Sequence, residues 1–266
     1  MKPVAAPGPG QQRGIALVLV LWILLLVTIS TGAYTLTARM DQLEAHTILS
    51  GTQARLAAEA GINFAVLSLR DPDELARLIP DGRPYSINFE GMLVEVRVTD
   101  ERGKLDINSA GEDSFINLFT GNGMDAINAE YLAAAIADWV DRDEIERANG
   151  AEQSAYQAAG LAVGPANRPF VVTEELLQVL GMSWDLYTLI SPGISVHSGV
   201  NIPDPAYAPP EALLALPDMS SEEAMNFVEE RHSQESLSDL DLALPNGEVA
   251  MARGRGLTYS ILAKAT

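Results

Sequence analysis

The length, composition and charge of this chain exclude several classes of protein. Its 266 residues include no cysteine, so no disulfide supports the fold, and 47% of them are hydrophobic, which is enough for one or two domains with a buried core. A formal net charge of −19 argues against binding of nucleic acid or anionic lipid headgroups, because both attractions need a basic surface, and it is compatible with divalent cations.

An uncharged apolar run follows Gly14 and predicts a transmembrane helix over residues 15–36. No charged side chain occurs between Ile15 and Arg39, and about 20 apolar residues of helix are enough to cross the hydrocarbon core of a bilayer. The run is apolar on every side, which excludes an amphipathic helix lying on a membrane surface.

Charges on either side of the apolar run predict its orientation. Lys2 and Arg13 precede the run, whereas Asp41 and Glu44 follow it. The positive-inside rule then keeps the first residues in the cytoplasm and exports the rest. We therefore predict a single-pass protein with the bulk of its chain outside the cytoplasm.

Three interpretations of this N-terminal region compete. A cleavable secretory signal would have a shorter apolar core and a small-residue site, which residues 31–33 could mimic, and a plain anchor would need no site. In the third, a short polar leader ends in Gly14 and the apolar helix starts at once, which resembles the class III leader of type IV prepilins and type II secretion pseudopilins. That resemblance implies that a prepilin peptidase cleaves after Gly14, leaving a mature, N-methylated chain that begins at Ile15.

One position departs from most members of that family. Major pilins and most pseudopilins carry a glutamate five residues into the mature chain, where this chain has Leu19. A carboxylate inside the bilayer is costly unless paired, and the family glutamate is thought to pair with the N-terminal amine of a neighbouring subunit. Among pseudopilins, the absence of this glutamate is typical of the minor pseudopilin K. The resemblance therefore implies that Leu19 has a role in filament packing.

The helical pattern continues beyond the membrane run. No proline occurs between Pro9 and Pro72, and apolar residues recur at helical spacing among good helix formers. We predict one helix over residues 15–69.

Alternating apolar residues predict a small antiparallel sheet against which this helix packs. Residues 85–89 and 94–98 alternate on either side of a Glu-Gly turn, which indicates a hairpin with one buried face. Residues 104–108 are predicted to extend the sheet, and alternation returns at residues 257–261. Two strand regions therefore bracket a long middle segment.

The middle segment is predicted to be helical. Apolar spacing predicts helices at residues 115–119, 129–139, 174–180 (capped by Thr173), 211–216 and 222–230. The first two and the last two form weakly repeated units that resemble the helix-hairpin-helix pairs of DNA-binding proteins. Nucleic-acid binding is not expected, because the glycines that let backbone amides approach phosphate are missing at residues 217–219 and the chain is acidic.

Six short blocks occur in order along the middle of the chain. They are residues 104–108 (KLDIN), 138–143 (DWVDRD), 150–156 (GAEQSAY), 167–170 (NRPF), 174–177 (EELL) and 179–182 (VLGM). In sequence and spacing they resemble the blocks of the minor pseudopilin K family of type II secretion systems. Together with the leader they cover most of residues 13–202, whereas the C-terminal part is less distinctive.

The predicted fold class is α+β, with a long N-terminal transmembrane helix packed on a small antiparallel sheet and a large inserted α-helical domain. The bracketing strands and the resemblance both suggest this arrangement. The predicted domains are a leader (1–14), the N-terminal helix (15–69), a pseudopilin β region (70–109 and 240–266) and the inserted helical domain (110–239).

One dense group of carboxylates could bind a metal ion. Asp138, Asp141 and Glu144 would share one face of a helix, with Asp143 and Glu152 nearby, and such carboxylates repel one another unless solvent or a cation intervenes. Oxygen ligands without His or Cys favour Ca²⁺ over zinc. A solvated acidic helix end is the alternative, and the resemblance favours calcium because K-type pseudopilins have calcium sites in the inserted domain.

Two functions remain open at this point. No catalytic motif occurs and the three histidines have no metal-ligand spacing, so an enzyme is not expected. The resemblance implies an inner-membrane minor pseudopilin that caps the tip of the periplasmic pseudopilus and helps to initiate its assembly. Its implied partners are the minor pseudopilins I and J, with H as a further candidate, the prepilin peptidase, and secretion substrates or the outer-membrane secretin. The alternative is a membrane-anchored periplasmic binding protein whose helical pairs bind a ligand.

Overall fold

The computed structural model describes residues 13–73, 76–234, 236, 242–250 and 256–266. Most of the predicted leader, residues 1–12, lies outside the described residues. The chain divides into two compact units, with the boundary between Leu56 and Ala57.

The first unit is formed by the N-terminal part of helix α1, which runs from Arg13 to Leu69 without interruption. Its large apolar side chains from Leu17 to Ile29 are exposed. Within the described residues it is the one helix long and apolar enough to cross a membrane, which makes it the candidate membrane anchor. The predicted helix over residues 15–69 is confirmed.

The second unit contains a three-stranded antiparallel sheet, with the C-terminal end of α1 packed on one face. Strands β1 (Asp81–Phe89) and β2 (Met92–Asp100) form the predicted hairpin, and β7 (Tyr259–Ala265) pairs with β2. The hairpin turns at Glu90 and Gly91, both with positive φ (50° and 84°), which suits a two-residue turn that follows the right-handed twist of the strands.

A small core holds α1 to this sheet. Three valines of β2 at alternate positions are fully buried, and Ala57 and Ala65 of α1 pack over them. Gly61 lies at the closest approach, where a Cβ atom would be 2.8 Å from Cγ1 of Val94. Small residues on this face of the helix therefore let its backbone lie close to the sheet.

The prediction that residues 104–108 extend this sheet is wrong. Strand β3 (Leu105–Asp106) pairs in parallel with β4 (Ile194–Ser195) in a separate two-stranded sheet. A short 3₁₀ helix, Glu101–Gly103, ends β2 and turns the chain away from the first sheet. Asp100 caps this helix by accepting a hydrogen bond from the backbone N–H of Arg102.

The described part of the long segment between β2 and β7 consists of helices, two short pairs of strands and irregular loops. The helices are α2 (Glu112–Gly121), α3 (Ala126–Val140), α4 (Gln153–Ala158), α5 (Trp184–Ile190), α6 (Pro210–Leu213) and α7 (Ser221–Ser233). They enclose one hydrophobic core, to which strands β5 (Leu242–Ala243) and β6 (Val249–Ala250) also contribute. The predicted α+β fold class is confirmed.

The helix predicted at residues 174–180 differs from the structure. Residues Thr173–Gln178 form a 3₁₀ helix that follows Val172, without a side-chain cap. The Thr173 hydroxyl lies 3.3 Å from the Tyr187 hydroxyl instead of capping the helix. A tertiary contact therefore replaces the local one that the sequence suggested.

Candidate functional site

The candidate site lies where α3 ends and the following loop, residues 141–152, folds back over it. Asp125 starts α3 by accepting a hydrogen bond from the backbone N–H of Asn128 at 3.1 Å, and the helix ends at Val140. Carboxylates at residues 141, 143 and 144 are unfavourable near the negative end of a helix dipole, which is consistent with the helix ending there.

Asp138, in the last turn of α3, is completely enclosed by this loop. Its exposed fraction is 0%, and its Oδ2 accepts a hydrogen bond from the backbone N–H of Arg147 at 3.3 Å. Gly150 passes directly against the same carboxylate, so that a Cβ atom at this position would collide with it. Any other residue at position 150 would therefore force the Asp138 carboxylate or the loop to shift.

Three buried carboxylate oxygens in this region have no hydrogen-bond partner among the described residues. They are Oδ1 of Asp138, Oδ1 of Asp141 and Oε1 of Glu152. Glu152 is only 5% exposed and forms no ion pair within the described part of the chain. A buried carboxylate without a compensating charge is costly, so Glu152 is the least satisfied carboxylate of this region among the described residues.

Burial also changes the pKa values of the carboxyl groups in this region. Burial raises the pKa of Asp138, and burial together with the carboxylates of Asp138, Asp141 and Asp143 raises the pKa of Glu152. A carboxyl group whose pKa is higher in the folded state makes the folded state less stable as pH rises through that value. The ionised group therefore opposes folding at neutral pH unless a positive charge compensates it.

Arg147 supplies part of that compensation. Its Nε lies 3.1 Å from Oδ1 of Asp138, and its Nη2 lies 3.0 Å from Oδ2 of Asp141. Nη1 lies 3.8 Å from Oε1 of Glu112 at the start of α2. The guanidinium thus connects carboxylates from α2, α3 and the loop.

The structure brings together only some of the five residues that were predicted as metal ligands. Asp138, Asp141 and Glu152 lie around the end of α3, whereas Asp143 and Glu144 are exposed. Oδ1 of Asp143 accepts a hydrogen bond from the backbone N–H of Ile145 at 2.9 Å, which is a local turn contact. Within the described ranges no group of three or more His, Asp or Glu side chains has metal-binding geometry.

One geometric expectation about these residues is wrong. Asp141 and Glu144 do not share a helical face with Asp138, because α3 ends before them and Asp141 has an extended backbone conformation. Arg147 and Gly150, which both lie against Asp138, were not predicted from the sequence as part of the site. The occurrence of an arginine within an acidic segment is the sequence feature that could have indicated Arg147.

The other predicted positions lie in α1. Gly14 and Ile15 fall in its first turn, and Leu19 is exposed among similarly exposed apolar neighbours. Its part in filament packing stays a prediction.

Comparison with known proteins identifies relatives of this chain. Residues 92–199 match the family model described as type II secretion system (T2SS), protein K. The type II secretion system protein K of Klebsiella pneumoniae is 31% identical over 204 residues, covering 68% of this chain and 62% of that protein. The protein K of Pectobacterium carotovorum subsp. carotovorum is 27% identical over 275 residues, covering 90% of this chain and 82% of that protein. The chain thus spans about three fifths of the Klebsiella protein's length.

A solved structure has a similar fold. A chain of the crystal structure of the GspK-GspI-GspJ complex from the enterotoxigenic Escherichia coli type 2 secretion system matches with a TM-score of 0.53 at 17% identity. The match covers 84% of this chain and 89% of that one. At this identity the likeness concerns the fold alone.

Proposed function

Because the chain belongs to the protein K family of type II secretion systems, we propose that it is a minor pseudopilin that caps the tip of the periplasmic pseudopilus and helps to initiate its assembly. The role is structural, and we propose no catalytic activity. The proposed partners are minor pseudopilins of the I and J types, as in the solved complex, and also the H type. We call the second compact unit (residues 57–266) the head. Secretion substrates or the outer-membrane secretin would then contact this head.

The large helical insertion carries this proposal. Strands β2 and β7 are adjacent in the sheet, yet residues 101–258 separate them and include helices α2 to α7. In a filament whose subunits pack through their N-terminal helices, a head of this size would not fit beneath a stacked neighbour. Leu19 adds to the argument, because it cannot provide the carboxylate that would pair with the terminal amine of a neighbour.

Labelling the head at one position tests the capping role. The chain has no cysteine, so Met225→Cys in α7, where the side chain is exposed, creates a single thiol for biotin and gold. We expect gold at one end of each pseudopilus. The cysteine-free parent is the control for background label, and gold at regular intervals along the filament would contradict a tip position.

The N-terminus of the mature protein tests the pseudopilin role separately. We expect prepilin peptidase to remove residues 1–14, so that mass spectrometry of the membrane-bound protein finds an N-methylated chain starting at Ile15. A chain that starts at Tyr34, or that keeps its first residues, would instead support the membrane-anchored binding protein.

We also propose that the site around Asp138 binds Ca²⁺. Asp138, Asp141 and Glu152 would supply carboxylate oxygens, and the proposal is supported by Oδ1 of Asp141 and Oε1 of Glu152, which are buried without a hydrogen-bond partner among the described residues. Bound calcium would neutralise the carboxylates and hold the loop over the end of α3. Asp143 and Glu144, which are exposed, would have to move to take part.

Calcium is therefore expected to raise the melting temperature. A ligand that binds only the folded state stabilises it by about 2.7 kcal/mol at a hundredfold excess over its dissociation constant, or about 5–10 °C for a unit of this size. Circular dichroism of the full chain in detergent, with calcium and then with chelator, measures the shift. Glu152→Gln should reduce the response, whereas Glu146→Gln, at an exposed position in the same loop, should leave it intact. An unchanged melting temperature in the parent would contradict the calcium site.

A further inference from the structure

A groove lies between the end of α2, the start of α3, the loop after α3 and helix α5. It has a volume of about 660 Å³, within the range of about 300–1,000 Å³ that is typical of ligand sites. Its lining includes the buried side chains of Leu132, Ala135 and Leu186, whereas Tyr131 and Leu189, which also line it, are 50% and 53% exposed. Large apolar side chains that stay in solvent beside a buried apolar lining are typical of an interaction surface.

The charge of this groove restricts what it can bind. Among the described residues that line it, Asp125 is the one charged side chain. The other polar side chains are uncharged, and they include the amides of Asn122, Asn128 and Asn149. Anionic ligands do not suit this lining, because no lysine or arginine in it would compensate a negative charge. A cation is therefore the charged group that the groove favours.

The carboxylate of Asp125 is fixed and ionised. Its Oδ1 accepts a hydrogen bond from the backbone N–H of Asn128 at 3.1 Å, and its Oδ2 accepts one from the side-chain Nδ2 of Asn128 at 2.5 Å. These hydrogen bonds lower the pKa of Asp125, so the group stays charged at neutral pH. Each carboxylate oxygen can accept more than one hydrogen bond, so Asp125 can also accept one from a bound cation.

A second position for a cation lies on the same side of α3. Residues three apart are neighbours on a helix surface, so Asn128 lies between Asp125 and Tyr131, and six residues of helix span about 9 Å. The face of an exposed tyrosine ring attracts a guanidinium or ammonium group. In a polyproline II segment, side chains three residues apart lie on one side and about 9 Å apart, which matches this spacing.

We propose that this groove binds a segment of a partner protein in which basic residues flank aliphatic ones. The basic groups would contact Asp125 and Tyr131, and the aliphatic side chains would cover Leu186 and Leu189. A second copy of this chain does not suit the groove, because two molecules with a net charge of −19 repel each other. The binding would not depend on a tip position or on calcium.

Fluorescence anisotropy of a labelled peptide tests this binding. The probe is a synthetic peptide with the order arginine-leucine-leucine-arginine, titrated with the full chain in non-ionic detergent at about 0.15 M salt, where exposed charges more than about 8 Å apart are largely screened. Micelles without protein give the background. The control peptide has glutamate in place of arginine, and we expect the protein to bind the arginine peptide alone. Equal binding of the two peptides would overturn the proposal, because the groove would then not select a cation.

Two pairs of variants locate the binding. Tyr131→Ala should raise the dissociation constant by about tenfold, the equivalent of 1.4 kcal/mol, whereas Ile127→Ala, at an exposed position of α3 outside the groove, should change it less than about twofold. Asp125→Asn should raise it by about fivefold, because asparagine caps a helix as well as aspartate does but lacks the charge. Asp185→Asn is the matched control, because it removes the same charge from the exposed first turn of α5, outside the groove.

The outcomes distinguish a specific site from general attraction to an acidic protein. Equal losses within either pair would overturn the proposal, as would failure of the parent to bind the arginine peptide. Self-association of the parent that Tyr131→Ala abolishes, measured by analytical ultracentrifugation, would assign the groove to a second copy and also overturn it. All four substitutions are at exposed positions, so each variant should keep the circular dichroism spectrum of the parent. If an alanine variant loses that spectrum, the asparagine pair tests the binding by itself.

Discussion

Replacing Arg231 by alanine is expected to lower the free energy of unfolding by about 3–5 kcal/mol. Arg231 lies near the end of α7 and is fully buried. Its Nη1 donates hydrogen bonds to the carbonyl oxygens of Pro205 and Ala208 at 2.7 and 2.8 Å, and its Nη2 donates to the carbonyl oxygen of Asp81 at 3.0 Å. Alanine would remove all three of these hydrogen bonds from the interior, although the Asp81 carbonyl would keep its contact with Nε2 of His232 at 3.3 Å.

The loss should be large because the same guanidinium faces a buried charge. Nε of Arg231 lies 3.6 Å from Oδ2 of Asp81, and neither side chain is exposed. Burial lowers the pKa of Arg231 to about 10, and the charge of Asp81 partly opposes this shift. Arg83 and His232 also contact Asp81, so its carboxylate would keep part of its compensation.

Urea denaturation followed by circular dichroism measures this effect. Arg97→Ala is the matched control: Arg97 pairs with Glu95 at 2.8 Å on the surface of β2, where both side chains are 45% exposed. We expect this control to cost about 1 kcal/mol or less. Similar losses in the two variants would mean that burial of the Arg231 network contributes little to stability.

Replacing Trp139 by alanine should have an effect of similar size, about 3–5 kcal/mol. Trp139 is 2% exposed in the core of the helical region. Its ring stacks on Phe170 with centroids 6.0 Å apart and an interplanar angle of 4°, and it meets Tyr156 at 6.1 Å. Alanine would leave a large cavity beside the loop that closes over Asp138.

Phenylalanine at the same position is an informative control. The indole Nε1 of Trp139 is buried without a hydrogen-bond partner in the described residues, so Trp139→Phe removes a polar group that is not satisfied there. We expect Trp139→Phe to destabilise by about 1–2 kcal/mol, well below the loss for alanine. Trp184→Ala, at an exposed site, should cost still less, and a loss as large as that of Trp139→Ala would contradict this assignment of the core.

Several elements were predictable because their signals are local. The uncharged run after Ile15 determined a long apolar helix, since both its length and its composition are read directly from neighbouring residues. The alternation around Glu90 and Gly91 determined the hairpin, because side chains on a strand alternate between two faces and the turn needs residues that tolerate positive φ.

The candidate site was predictable only as a concentration of carboxylates. Which of them would be buried depended on the path of the loop, so Asp138 and Glu152 became enclosed while Asp143 and Glu144 stayed in solvent. Arg147 was not predicted as a partner, because an ion pair depends on the distance between side chains after folding and not on their spacing in the chain.

The apolar helix, the hairpin and the acidic character of the segment after α3 follow from residues that are neighbours in the chain. Tertiary structure alone decided that Leu105 pairs with Ile194, that Thr173 faces Tyr187 instead of capping a helix, and that Arg231 spans from α7 to β1. The physical reason is that helical and strand periodicity arise between near neighbours, whereas burial and the pairing of polar groups depend on which distant segments pack together.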